Sequence, residues 1–282
     1  KNPTETFNSI LAVVGVLSAL YGLLQYTGDI ETQSYFPVTG SFDNPAGFAA
    51  SIVLCYPFLL CHPSNGKRRT FKLMACLLLI IVVILSGSRT GILTLCVVTL
   101  FFYALRYRKL IHRRCIFFIS GGALFLIGLF IGLIYLKPAS ASGRVLIWKV
   151  SAGLCKEHII QGNGPGSFKA DYMPEQAKYL SSSHADESDR ILAGNTNYPF
   201  NEYLLLLIEQ GLIGITLFLL LLIAVFRSNV PFDTPALLTL VSIAIFSCFS
   251  YPFKYAFVWF MIIYCLASLN QPEVALRTIR FN

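Results

Sequence analysis

Eight apolar runs follow one another along this 282-residue chain, at about 7–25, 46–61, 72–87, 91–105, 115–136, 203–226, 235–250 and 255–269. A helix needs about 20 apolar residues to cross ~30 Å of hydrocarbon. Backbone in lipid must also satisfy its own polar groups, which leaves helices or closed barrels. Only 13% of the residues are charged and mean hydropathy is +0.66, where soluble domains carry roughly 25% charge. The expected fold is all-α: a polytopic transmembrane helix bundle of about eight spans, whose large external loop forms a small helical cap. The second, third and fourth runs are the short ones.

The charge that remains is clustered. Lys67, Arg68, Arg69 and Lys72 fill one connector, and Arg106, Arg108, Lys109, Arg113 and Arg114 another. Arg227 follows the sixth run, and Arg277 and Arg280 lie in the tail. If the spans alternate, all four groups fall on one face, which the positive-inside tendency makes cytoplasmic. The net charge of +8 therefore reads as membrane orientation, and nucleic acid is excluded as a partner. Residues 26–45, the turn at Arg89 and a loop at 137–202 then face outward. The chain divides into helices one to five (1–136), the large loop (137–202), and helices six to eight with a tail (203–282). It opens KNPTETF, with neither an initiator methionine nor a signal-peptide pattern; the expectation is a piece of a longer protein whose earlier helices precede it.

The loop 137–202 is the segment with room for chemistry. Lys137-Pro138 ends the fifth run. In VLIWKVSAGLC, residues Val145, Trp148, Ala152 and Cys155 recur at helical spacing, the pattern of an amphipathic helix on the membrane surface with Trp148 at headgroup level. The string GNGPGSF lacks the preceding strand and the Lys-Ser/Thr ending of a phosphate loop, so it reads as a glycine-rich helix stop. His184, Asp186, Glu187 and Asp189 fit no standard metal-loop spacing and read as a solvated acidic stretch. The eight cysteines show no ligand or disulfide spacing and read as small buried apolar residues. No metal and no cofactor is expected.

Arg89, in LSGSRTG, and Arg144, in GRVLIWKV, stand on the face where arginine is disfavoured. An anionic headgroup is their natural partner, although an arginine at a helix end also snorkels without function. Gly87 and Gly91 flank Arg89 and allow backbone or ligand to approach closely. Asn201, Glu202 and Glu209 lie within about three turns at the start of the sixth run. A carboxylate at that depth is either functional or the packing partner of a nearby cation. Lys149 and Lys254 are further external cations; Lys254 either joins an anion site or snorkels between Tyr251 and Tyr255.

Several of these stretches agree with one family. In order, TGSFDNPAGFA, LSGSRTG, GRVLIWKV, GNGPGSF and FNEYLLLLIEQGLIG span residues from about 39 to 214. Together they resemble the O-antigen ligase family of bacterial membrane glycosyltransferases, which includes O-antigen polymerases and protein O-oligosaccharyltransferases. The resemblance implies multi-pass placement in the bacterial inner membrane and a glycosyl transfer at its periplasmic face; well-placed cations make a metal unnecessary, and the transfer is expected to be inverting. The donor would be a glycan on undecaprenyl diphosphate, and the acceptor lipid A core, a glycan repeat or a protein hydroxyl. Arg89 and Arg144 match the family's diphosphate-binding arginines. Asn44, Trp148, Lys149 and Lys254 are assigned to substrate binding. The family motif usually places a histidine directly before Asn201, where this chain has Phe200. The general base is then Glu202, Glu209 or His184.

Fixed guanidiniums would stabilise the diphosphate more as it departs than in the ground state. Ligase-type transfer leads and polymerase follows closely. A flippase for the same lipid is the non-enzymatic rival; it would predict inverted repeats and helices broken near the midplane.

Overall fold

The computed structural model describes residues 3–32, 34–107, 115–135, 138–156, 158–227 and 234–269. Arg108, Lys109, Arg113, Arg114, Lys137, Arg277 and Arg280 lie outside the described residues. Within them the protein is helical and contains no strand. The helices are α1 (Pro3–Thr27), α2 (Pro45–Leu60), α3 (Lys67–Leu85), α4 (Arg89–Arg106), α5 (Cys115–Tyr135), α6 (Pro138–Leu154), α7 (Ser167–Leu180), α8 (Glu187–Leu192), α9 (Glu202–Arg227), α10 (Pro235–Phe249) and α11 (Ala256–Leu269), with a 3₁₀ turn at Pro252–Lys254 before α11.

Three helices, Pro3–Thr27, Arg89–Arg106 and most of α9, are individually long and apolar enough to cross a membrane. α2, α10 and α11 are apolar but shorter, at 16, 15 and 14 residues. Counting them as crossings, through local thinning of the bilayer, is a proposal.

The chain forms two compact units. The first comprises residues 1–129, 228–246 and 252–282; the second comprises 130–227 and 247–251. α2 is the axis of the first unit, with almost every residue from Gly47 to Leu60 buried. α1 presents Leu11, Gly15, Ala19, Gly22 and Gln25 inward, a stripe of mostly small residues at helical spacing. A Cβ at Gly15 would stand 2.6 Å from that of Cys55, so glycine there is what lets the two helices touch. Close backbone approach of this kind supplies the packing that apolar burial cannot supply in lipid. The Thr239 hydroxyl donates to the Leu54 carbonyl at 3.1 Å and ties α10 to α2.

The second unit has its own core. Leu146 and Val150 of α6, Phe168 and Tyr172 of α7 and Ile208 of α9 are all at most 1% exposed and pack together. The expected helix after Pro138 is present, but its buried face differs from the expected stripe. Leu146 and Val150 point inward, whereas Val145 and Ala152 are exposed. The partners that select this face, α7 and α9, come from distant sequence and leave no mark on the spacing within α6.

The sixth apolar run is interrupted. Gly211 has φ 63° and ψ −160° and breaks α9, where the expectation was one continuous helix. A break inside an apolar segment frees backbone groups that must find partners. They find them in the glycine string. Asn163 N–H donates to Ile208 O at 2.8 Å and Gly164 N–H to Glu209 O at 3.0 Å. Leu212 N–H donates to Ile159 O at 2.9 Å and Ile213 N–H to Ile160 O at 3.1 Å. The Asn163 amide adds bonds to the carbonyls of Leu154 and Ile208. Gly162, Gly164 and Gly166 all have positive φ, which is how this loop turns tightly enough to follow the break. The string is thus a clamp on α9 as well as a helix boundary.

Candidate functional site

The candidate residues fall into groups within each unit. In the second, three side chains converge on the entrance to α9. The Arg144 guanidinium lies over the Phe200 ring, 5.2 Å from its centroid. Trp148, one turn further along α6, donates its indole N–H to the Pro199 carbonyl at 2.8 Å. Tyr251 meets Phe200 edge-on and stacks on Tyr198 at 4.5 Å. Arg144 and Trp148 therefore grip the segment Tyr198–Phe200 from the side of α6. Their i, i+4 spacing puts both on one helix face.

Phe200 has φ 54°. The left-handed region is uncommon for any residue with a Cβ and an outlier for a bulky one, and costs about 1–2 kcal/mol. The surrounding contacts hold it there: the guanidinium above, Tyr251 at its edge and the Trp148 bond to the preceding carbonyl. Next in the chain, Asn201 caps α9, its Oδ1 accepting from Leu204 N–H at 3.0 Å. Glu202, first residue of the helix, is 7% exposed. Tyr251 and Arg144 come to this frame from distant sequence, so no local pattern around Phe200 marks it.

Glu209 and His184 stand elsewhere in this unit. The Glu209 carboxylate accepts from the backbone N–H groups of Gly166 and Phe168, at the start of α7, where the positive helix end favours an anion. His184 is exposed in the loop after α7, and its carbonyl accepts from the Tyr179 hydroxyl at 3.3 Å. Lys149 pairs with Asp189 at 3.2 Å, which also accepts from Tyr179 at 2.8 Å. The Tyr179 hydrogen bond, with help from Lys149, holds the Asp189 carboxyl below its ordinary pKa. The reciprocal bond from Asp189 raises the Lys149 ammonium. Asp189 is thus built into an ion pair and leaves the acidic stretch it was read in. Among the described residues no group of three or more His, Cys, Asp or Glu comes together that could hold a metal ion. Cys155 donates to the Ser151 carbonyl at 3.5 Å, and burial raises its thiol pKa.

In the first unit, Arg89 opens α4 directly after its cap, Ser88, whose Oγ accepts from Gly91 N–H at 3.2 Å. A Cβ at Gly91 would lie 2.8 Å from that of Ala49 and 2.9 Å from Val83. The glycine beside Arg89 therefore serves helix packing, bringing the turn onto the first turns of α2. An arginine at a helix start faces the positive end of the dipole, unfavourable by about 0.3–1 kcal/mol, a cost that a bound anion would remove. α3 carries Lys67, Arg68, Arg69 and Lys72 in its first turns, at the opposite end from Arg89.

Asn44 and Lys254 meet at the α2 start. Asn44 caps α2 through Gly47 N–H at 2.9 Å and donates to the Tyr255 hydroxyl at 2.8 Å. Lys254 pairs with Asp43, which also accepts from Tyr255 at 3.1 Å. Partial burial raises the Asp43 carboxyl pKa, but the hydrogen bonds from Lys254 and Tyr255, with the lysine charge, outweigh it and leave the group below its ordinary value. Lys254 is thus already engaged with a carboxylate, an arrangement that neither the anion-site nor the snorkelling expectation contained.

Long apolar helices and the absence of strands among the described residues define a polytopic helical membrane protein. The family model described as O-antigen ligase matches residues 74–219, just over half of the chain. The chain belongs to the O-antigen ligase family. The membership makes it a multi-pass bacterial membrane protein of glycosyltransferase type, with a lipid-linked glycan and an acceptor as substrates. No curated protein and no solved structure matches the chain.

Proposed function

We propose that this protein transfers a glycan from undecaprenyl diphosphate to an acceptor hydroxyl at the periplasmic face of the inner membrane. The observation that carries the reading is the Arg144–Phe200 contact. It fixes a permanent cation beside the motif in which the family activates the acceptor. Arg89, Arg144, His184, Asn201, Glu202 and Glu209 all lie inside the family match.

In the proposed reaction the acceptor oxygen attacks the anomeric carbon, the bond from that carbon to the diphosphate oxygen breaks, and the configuration inverts. The hydroxyl proton passes to a base, and the bonding pair leaves with the diphosphate. Arg144 binds the diphosphate oxygens, which gain charge as the bond breaks; the resemblance gives Arg89 the same role. With Phe200 in the histidine position, Glu202 is the base we favour. It is the carboxylate nearest in sequence to the Arg144–Phe200 contact, whereas His184 is exposed in the loop after α7. Lipid A core is the favoured acceptor, with a glycan repeat or a protein hydroxyl as the other choices.

The break in α9 is a feature that a flippase would share. Its freed backbone groups bond to the glycine loop, however, so they are not presented to a substrate as a transporter site requires.

Reconstitution tests this. Purified protein receives lipid-diphosphate-linked oligosaccharide with, separately, lipid A core, a second repeat unit and an acceptor protein. Transfer to one of these, abolished in Glu202→Gln and retained in Glu209→Gln and His184→Ala, supports the assignment. Movement of the donor between leaflets without transfer to any acceptor refutes it.

A further inference from the structure

The first unit contains a cavity of about 330 Å³ that has no part in the proposed transfer. It lies where the start of α1, the end of α2 and the start of α3 meet, at the opposite end of α3 from Arg89. Its lining joins apolar residues, among them Val13, Leu59 and Phe71, to Ser9, His62 and the two cations Arg68 and Lys72. No acidic side chain lines it.

Three observations identify what such a cavity takes. First, Phe71 and Val13 are 70% and 55% exposed; they offer an apolar wall continuous with the outer surface of the bundle, where acyl chains lie. Second, the cations are placed rather than merely present. Lys72 donates to the His62 carbonyl at 2.8 Å, which anchors its ammonium to another lining residue while leaving donors for a ligand. Third, α3 begins Lys67-Arg68-Arg69, with no acidic residue in its first turn and no side-chain cap. Cations at the positive end of a helix are unfavourable until an anion joins them. Apolar walls, a cationic rim and a position at helix ends together match an amphiphile with an anionic head.

We infer that this cavity binds an anionic phospholipid of the inner leaflet, its phosphate held by Arg68 and Lys72 and its first acyl carbons against Phe71 and Val13. The lipid closes the cytoplasmic end of the α1–α3 packing and fixes that end of the bundle at headgroup depth. A free phosphate ester would satisfy the rim but leave the apolar walls bare.

The test is native mass spectrometry of the full chain released from nanodiscs of phosphatidylglycerol mixed equally with phosphatidylcholine. Preferential retention of phosphatidylglycerol is expected. The R68Q/K72Q double variant should lose about 30-fold of that preference, the equivalent of two surface cations. A second variant, Ala75→Phe, keeps both charges but fills the cavity, and should lose it too. Equal retention of the two lipids by the wild-type protein would overturn the inference. So would unchanged preference in both variants, or displacement of the lipid by glycerol 3-phosphate at matching concentration, which would make the site one for the headgroup alone.

Discussion

Replacing Gly211 by alanine strikes the junction between α9 and the glycine loop. The native φ of 63° and ψ of −160° belong to a region essentially reserved for glycine, so a side chain there costs about 1–3 kcal/mol in backbone strain. The new Cβ would also stand 2.5 Å from the Gly162 nitrogen and closer still to the Ile160 carbonyl oxygen. The loop must retreat, which takes with it the bonds from Leu212 and Ile213 to residues 159 and 160, each about 0.5–1.5 kcal/mol. The sum is about 4 kcal/mol. That is a large share of the ~5–15 kcal/mol that holds a domain together, yet small enough for local opening to precede global unfolding. Hydrogen exchange in detergent micelles reads it directly. The amides of residues 162–164 and 212–213 should exchange about 10²- to 10³-fold faster in Gly211→Ala. Gly121→Ala, where an added Cβ meets nothing within 4 Å, is the control. Wild-type protection at those amides in Gly211→Ala would refute the claim that the loop clamps the break.

Other outcomes follow from the same contacts. Asp43 has its carboxyl pKa depressed in the folded protein, so its contribution to stability is present at pH above its ordinary pKa of 3.8 and is lost as pH falls through the depressed value. The gap in melting temperature between wild type and Asp43→Asn should be constant near neutrality and close in acid; a gap that widens in acid would contradict the pairing with Lys254. Phe200→Gly relieves about 1–2 kcal/mol of backbone strain and loses ring contacts worth about as much. Its melting temperature should barely move while transfer falls at least tenfold, whereas intact transfer would separate the Arg144 contact from function. Gly15→Ala drives a Cβ against Cys55 and should destabilise by about 1–3 kcal/mol, read as a lower melting temperature.

The helices were legible because a membrane demands long apolar runs. α10, expected at 235–250, spans Pro235–Phe249, and α1, expected at 7–25, spans Pro3–Thr27. What pairs with what was less legible. Glu209 read as a possible catalytic carboxylate, but its partners are backbone amides some 40 residues earlier, and backbone donors leave no trace in side-chain patterns. The partnership of Asp43 with Lys254 joins residues 211 apart. The break at Gly211 did have a local signal, a glycine inside an apolar run. Only the positive-φ loop that receives it explains why glycine is required. At the α9 entrance the missing histidine was plain in the sequence, while the left-handed backbone of Phe200 and the guanidinium stacked on it were not.

The central claim is that fixed arginines stabilise a departing lipid diphosphate, and Arg89 tests it most directly. Glycan transfer and donor binding would be measured side by side for wild type and Arg89→Ala in liposomes. The account predicts a loss of about 10²- to 10³-fold in transfer with weakened donor binding. Transfer within twofold of wild type would contradict it.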